Sequence, residues 1–475
     1  MADIKFGTDG WRAVIADTFT VDNVARVAWA VARYVSGKEE GEASVVVGYD
    51  TRFGGKMFAE TAAKVLTLKG IRVYLSPDFV TTPMVSWGIT ALKASAGVVI
   101  TAGYHPAQFN GIKLKGPHGG PLDNRETRIV ESMVPEENEL SLETIRWDSN
   151  LQRDKIIYTD LEQLYFEQVQ KHFDPDAFRK SGLRPAFDAM YGASQNIVRR
   201  LFPEARFFHC EVNPTFHNIP PEPDSTYLME FSEAVRKDGK TNLGVAVDGD
   251  GVRIALIDPD GNYIDPNHIL LLLIHYLAGY KKRKGKVVTG FSSTGKVEVL
   301  AGHYGLEVVR VSKGFMDIPA TTRKEGVLVD GEEAGGFSVA GHIPERDGVW
   351  LALTILQFMK ETGKGIRDLL KEVEAITGPF VFGRADFRMS SAELQRIMKR
   401  CQTEGFDRFG DFRVSHEVTF DGFKYFFSDH EWLMIRSYGT DHLLRLYAEA
   451  ETQEQMEAIL KSGYNTLVKI LEEKE

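Results

Sequence analysis

Cysteine is nearly absent: the 475-residue chain has two, Cys210 and Cys401, far apart and without ligand-like spacing. That argues against a disulfide framework and a thiolate zinc site, and it suits a reducing cytoplasm. No apolar run is long enough to span a bilayer. The first residues, MADIKFGTDGWR, have no basic flank followed by an apolar core, so no signal peptide is expected. Net charge is −10, and no Lys/Arg stripe is interleaved with aromatics, which sets nucleic acid and membrane aside as partners. Short-period repeats and low-complexity tracts are missing too. What remains is an ordinary globular composition, 43% hydrophobic and 26% charged, in a chain too long for one core.

Short runs rich in Val and Ile alternate with amphipathic segments. SVVVGYD near Ser44, IRVYLS near Ile71, AGVVIT near Ala96, RPAFDAMYG near Arg184, NLGVAVDGDG near Asn242, GKVVTGF near Gly285, LEVVRV near Leu306 and GVLVDGEE near Gly326 read as strands. Most are continuously apolar, as parallel strands buried on both faces are. VDNVARVAWAVARYVSG, MFAETAAKVLTLKG and NHILLLLIHYLAGYKKRKG read as helices, each closed by a glycine. This alternation predicts α/β architecture. The last hundred residues differ. Polar–aromatic alternation around an Asp-Gly turn, followed by a charged helix, predicts an antiparallel α+β unit. Joins fall near 148–155, 256–263 and 374–380, giving units at 1–152, 153–258, 259–376 and 377–475.

Four loops combine glycine with charged residues just after a predicted strand, where α/β sheets bind ligands. They are TAGYHPAQFNGIKLKG from Thr101, DGDGVR from Asp248, DGEEAGGF from Asp330 and RSYGTDHLLR from Arg436. Asp248 and Asp250, alternating on a glycine-bent loop, suit one hard cation such as Mg²⁺; an ordinary Asp-Gly turn reads as well. Glu332 and Glu333 suit sugar hydroxyls, or an acidic surface turn. Arg436, Ser437, Gly439, Thr440 and Arg445 suit a phosphate, or a surface hairpin.

Together with FGTDGWR (6–12), VVVGYDTRF (45–53), TTP (81–83), NPTFHNIPPEP (213–223), RDG (346–348) and LLRLYAEA (443–450), these loops make the chain resemble the α-D-phosphohexomutase family along essentially its full length. The resemblance implies three similar α/β domains with mixed sheets plus a C-terminal α+β domain, around a central cleft. It implies a hexose phosphate as partner and Mg²⁺ as cofactor. It also implies a serine in the tract T-A-S-H-N-P that passes its phosphoryl group to the sugar. Lys113 would be the general acid/base, and Arg12 and Arg253 would lie near the phosphoserine. Glu332 beside Gly331 would hold sugar hydroxyls, and Lys313 would belong to the specificity loop.

The resemblance breaks at the chemistry. T-A-G-Y-H-P puts Gly103 at the serine position, and glycine has no oxygen to phosphorylate. The third aspartate of the metal loop is Val252, so any Mg²⁺ site is weakened. Tyr438 stands where the phosphate loop has serine, and the specificity loop reads KGFM from Lys313. Three readings stay open: a phosphohexose-binding member with impaired phosphoserine chemistry, a phosphotransferase using His105 or Tyr104 as acceptor, and a non-catalytic regulatory partner. Oligomeric state is not legible.

Overall fold

The computed structural model describes residues 4–7, 9–38, 41–312, 326–438 and 443–472. Its first sheet contains β1 (Trp11–Val14), β2 (Ser44–Tyr49), β3 (Arg72–Leu75), β4 (Ala96–Ile100), β5 (Phe109–Lys115) and β6 (Ile156–Tyr158), ordered β1-β5-β4-β2-β3-β6. The second contains β7 (Pro185–Asp188), β8 (Arg206–Phe208), β9 (Leu243–Val247), β10 (Ile254–Ile257) and β11 (Tyr263–Ile264), ordered β11-β10-β9-β7-β8. The third contains β12 (Lys286–Gly290), β13 (Glu307–Val311), β14 (Val327–Gly331) and β15 (Phe337–Val339), ordered β13-β12-β14-β15. Strand β6 lies beyond the join read near 148–155, and β11 lies beyond residue 258, because each completes the sheet before it.

The three sheets share a plan. Parallel strands form one side, and the last of them turns back into an antiparallel partner: β4 into β5, β9 into β10, β14 into β15. Strands β4 and β9 are buried at every position, which is why they read as unbroken apolar runs. Three of the four glycine-rich loops are therefore the same hairpin in three similar domains.

After a small two-stranded ribbon, β17 (Arg408–Phe409) and β18 (Phe412–Arg413), the fourth sheet is completed. It is antiparallel: β16 (Val381–Arg388), β19 (His416–Val418), β20 (Phe423–Phe426), β21 (Trp432–Tyr438) and β22 (Leu443–Ala450), ordered β16-β22-β21-β20-β19. The helices Ser391–Thr403 and Gln453–Glu472 complete this α+β unit.

The glycine stops are met unevenly. Gly37, after the helix Val21–Ser36, keeps a right-handed φ of −79°. The helix Pro266–Ile274 passes into a π turn over His275–Tyr280 and ends well before Gly285. Two quoted motifs prove to be helix starts. In TTP, Thr81 caps the helix Thr82–Leu92 by accepting from the Met84 N–H, with Pro83 in the first turn. In RDG, Asp347 caps the helix Gly348–Thr362 and also accepts from Tyr165 Oη and His342 Nε2.

Between the third and fourth sheets, Phe291, Trp432, Met434 and Tyr447 form a small apolar cluster. Lys424 is buried against it, its Nζ 3.5 Å from the Trp432 ring centroid. The ring face favours the charged amine. Burial, with Arg310 adding repulsion, prevails and brings Lys424 from 10.5 down to about 7. Between these values the unfolded chain holds a proton that the folded chain has released, so this group makes stability rise with pH across that window. Lys424→Met removes the burden. Its gain in melting temperature should be largest at and below neutral pH and fade toward the ordinary lysine pKa, as thermal scans across pH would measure.

Candidate functional site: a cationic cleft between four sheets

The loop after β4 is held by one arginine. Arg52, 3% exposed, donates to the carbonyls of Gly103 (2.6 Å), His105 (2.6 Å), Pro106 (2.9 Å) and Phe109 (3.0 Å), and faces Asp50 at 3.2 Å. Asp50 also accepts from Thr101 Oγ1. Burial pushes Asp50 up to about 6, with Arg52 pulling the other way. The second loop then closes on the first. A Cβ on Gly249 would lie 2.6 Å from the Gly103 carbonyl oxygen, so only glycine allows the approach. Backbone bonds tie the loops together: Thr82 N–H to Asp250 O, Ile254 N–H to Gly335 O, and Gly348 N–H to Gly251 O.

The resulting cleft is lined from all four sheets. Arg12, Lys113, Arg253, Arg346, Arg436 and Arg445 supply cations; Asp9, Asp248, Glu332 and Glu333 supply carboxylates. Six against four is a positive lining in a protein of net charge −10, which draws anions to this point. Ala102, Gly103, Tyr104, Val252 and Ala334 complete the wall.

At one end, Lys113 Nζ lies 2.7 Å from Asp9 Oδ2 and 2.9 Å from Asp250 Oδ2. Lys115, two residues along β5 and so on the same face, forms an ion pair with Glu345 at 2.6 Å and approaches Asp9 at 3.5 Å. Burial works against charge on Lys113 and Asp9, but Asp250 and then Asp9 outweigh it at Lys113, and Lys113 and then Lys115 outweigh it at Asp9. Lys113 titrates above its usual value and Asp9 below its own. The nearby Arg12 Nε is buried without a hydrogen-bond partner among the described residues. Arg253 pairs with Glu222 at 2.9 Å and lies beneath the Tyr104 ring, 3.6 Å from its centroid.

At the other end, Arg436 and Arg445 occupy directly facing positions on β21 and β22. Like charges opposed across strands destabilise a sheet. Asp421 (2.7 Å) and Asp386 (3.2 Å) neutralise them from behind. Between the two ends lie Glu332, 3.2 Å from Arg346, and Glu333, which accepts from Ser292 (2.6 Å) and Tyr447 (3.0 Å). Burial raises Glu333, but Arg436 and these donors bring it below its usual range.

Of the residues singled out from sequence, Arg12, Gly103, Tyr104, Lys113, Asp248, Arg253, Glu332, Arg436 and Arg445 share this one cleft. Gly331 ends β14 beside it, and Ser437 follows Arg436 on β21. His105 is not among the lining residues; its Nδ1 lies 3.0 Å from the Ala102 carbonyl. Burial, reinforced by Arg12, Arg52 and Arg253, holds that imidazole neutral, well below its usual range. Lys313, Gly439 and Thr440 fall outside the described residues.

Asp248 and Asp250 each have partners of their own. Asp248 Oδ1 accepts from the Val252 and Arg253 amides (2.7 and 2.9 Å), whereas Asp250 Oδ2 accepts from Thr82 (2.5 Å) and Lys113. Burial, then Asp250, pushes Asp248 up to about 7. No three metal-ligating side chains converge among the described residues. Asp9, Arg52, Glu222, Glu345 and Arg346 are site residues that sequence reasoning left without a role. Asp9, Arg52, Glu222 and Arg346 lay inside quoted motifs, and Glu345 directly precedes one, so proximity to these signatures was their signal.

Three mixed α/β sheets and an antiparallel α+β unit thus surround one cleft whose lining favours anions. Comparison with known proteins fixes the family. The models of phosphoglucomutase/phosphomannomutase alpha/beta/alpha domains I, II and III match residues 3–141, 163–261 and 265–376, and the chain belongs to that family. It is 28% identical to the phosphoglucosamine mutase of Halalkalibacterium halodurans over 96% of each chain. A solved structure from Thermus thermophilus, described as a phosphomannomutase, is 30% identical, covers 98% of this chain and 99% of its own, and superposes with a TM-score of 0.83. The Aspergillus fumigatus N-acetylphosphoglucosamine mutase, solved with GlcNAc-6P and magnesium, shares the fold at 15% identity and a TM-score of 0.56, over 99% and 96% of the two chains. No helix among the described residues is long and apolar enough to cross a membrane.

Proposed function

We propose that the cleft binds a phosphorylated hexose and that phosphoryl transfer through residue 103 does not run. The observation that carries this reading is the facing pair Arg436–Arg445. A sheet gains nothing from opposed arginines, and both line the cleft with carboxylates stationed behind them. Such a pair suits a phosphate that accepts several charged hydrogen bonds at once. Glu332 and Glu333 lie within reach of sugar hydroxyls, and Arg12, Lys113 and Arg253 make the second cationic end. GlcNAc-6P in the Aspergillus protein supports the same ligand class here.

The loss of phosphoserine chemistry rests on Gly103 itself. Among the neighbours, Tyr104 reaches the cleft wall and His105 does not, so Tyr104 is the better-placed alternative acceptor. A resident magnesium does not fit the residues present. Only two carboxylates remain, Val252 takes the third position, and Lys113 already sits on Asp250.

Thermal shift with glucose 1-phosphate, glucose 6-phosphate and mannose 1-phosphate tests the binding claim. Ligands that bind only the folded state raise the melting temperature, by an increment that grows with concentration over Kd. Wild type should shift, and Arg436→Ala should lose most of the shift without a large drop in its own melting temperature. Failure of every hexose phosphate to shift wild type would sink the reading.

A further inference from the structure

Asp250, one of the two aspartates on the loop that suits a cation, is paired with Lys113, whose ammonium is also held by Asp9. We propose that the cleft binds its phosphorylated sugar without a divalent cation, the Lys113 ammonium supplying the local positive charge. The inference rests on the sugar-phosphate reading above and adds what neutralises the anion.

Lys113 is 5% exposed and reaches from β5, a strand of the first sheet, across to Asp250 on the second sheet's hairpin. Asp9 Oδ2 and Asp250 Oδ2 grip the ammonium at 2.7 and 2.9 Å. A dication bridging the same oxygens would have to displace it, or sit in contact with it against Coulomb repulsion that a buried setting amplifies. Asp9 is in turn steadied by Lys115, which is fully buried and ion-paired with Glu345. The chain of charges Asp250–Lys113–Asp9–Lys115–Glu345 thus links loops of all three α/β domains, and cations already alternate with anions along it.

The remaining donors offer little to a hard cation. Magnesium favours octahedral oxygen coordination at short distance and sheds water reluctantly. Asp248 Oδ1 is committed to two backbone amides, and Val252, 5% exposed, puts an isopropyl group on the cleft wall. Asp250 Oδ1 is buried with no hydrogen-bond partner among the described residues, 3.3 Å from where a Cβ on Gly103 would lie. Lys113 Nζ is 3.7 Å from that same point, so this unpartnered oxygen has an ammonium close by. A lysine delivers its charge as a compact, hydrated point with three rotatable donors, and two of its three can stay on Asp9 and Asp250 while the third meets a phosphate oxygen.

Two measurements test this on the full chain. In the first, calorimetry with glucose 1-phosphate and glucose 6-phosphate is run in excess EDTA and again with excess Mg²⁺. The expected difference in Kd is below about threefold; any larger tightening by Mg²⁺ overturns the inference while leaving sugar-phosphate binding intact. In the second, Mn²⁺ alone is titrated and bound ion is read by electron paramagnetic resonance, independent of any sugar. Wild type should bind no stoichiometric Mn²⁺, and Lys113→Met, which leaves Asp9 and Asp250 without their cation, should acquire one site. Lys113→Gln serves in its place if the methionine variant does not fold. Stoichiometric Mn²⁺ on wild type, or no gain in either variant, overturns the claim that lysine and dication compete for one position.

Discussion

Supplied with glucose 1-phosphate and catalytic glucose 1,6-bisphosphate, the purified chain should show turnover on the order of 10⁴-fold or more below that of a serine-bearing relative. That is the scale of loss when an enzyme's nucleophile is deleted. Its intact mass should carry no phosphoryl adduct after the incubation. The physical reason is local and complete, since a hydrogen atom at residue 103 accepts no phosphoryl group. The surroundings have also settled around that hydrogen. Gly103 adopts φ +59°, a left-handed conformation, and a Cβ there would press on Asp250 Oδ1 at 3.3 Å. Gly103→Ser should therefore recover little, because the new hydroxyl must displace a carboxylate that Thr82 and Lys113 already hold. In-line transfer tolerates little misplacement. An adduct mapped to Tyr104 would convert the protein into a phosphotransferase with a relocated acceptor. Turnover in the ordinary enzyme range, roughly 1–10³ s⁻¹, would end the claim of impaired chemistry outright.

The second large effect falls on stability. Glu345→Ala should lower the free energy of unfolding by about 3–5 kcal/mol, the cost of leaving one member of a buried ion pair behind. Lys115 is fully buried, and Glu345 is its close partner at 2.6 Å, with Asp9 farther away at 3.5 Å. Glu345 also accepts from Ser86 in the first domain. The substitution thus strands an ammonium and loosens a contact between the first and third domains. Glu345→Gln keeps the shape and one acceptor, and should recover part of the loss. Urea unfolding followed by circular dichroism would measure both, with separate transitions expected if the domains uncouple. A change below about 1 kcal/mol for the alanine variant would mean the ammonium finds water, and that the network is not the interdomain link described here.

Much of this could be read before any folding was considered. The strands around Ser44, Ala96 and Asn242 were visible because strands buried on both faces need an unbroken apolar run. The loops were visible because glycine, aspartate and proline mark turns at strand ends. The helix glycines were less dependable. Gly37 does close its helix, with a right-handed φ, whereas the helix from Pro266 ends in a π turn before its expected stop, since tertiary packing overrides a local end signal.

Two kinds of knowledge separate cleanly at the site. Side-chain chemistry belongs to the sequence: Gly103 lacks an oxygen and Val252 lacks a carboxylate in any fold, so the losses of nucleophile and third metal ligand were known from the letters alone. Pairing belongs to the fold. That Lys113 lies between Asp9 and Asp250, that Arg445 faces Arg436, and that Tyr104 rather than His105 lines the cleft and covers Arg253 all depend on hairpin register and on how three similar domains meet. A charge acts over a few ångströms, and only the packed chain sets which charges come that close.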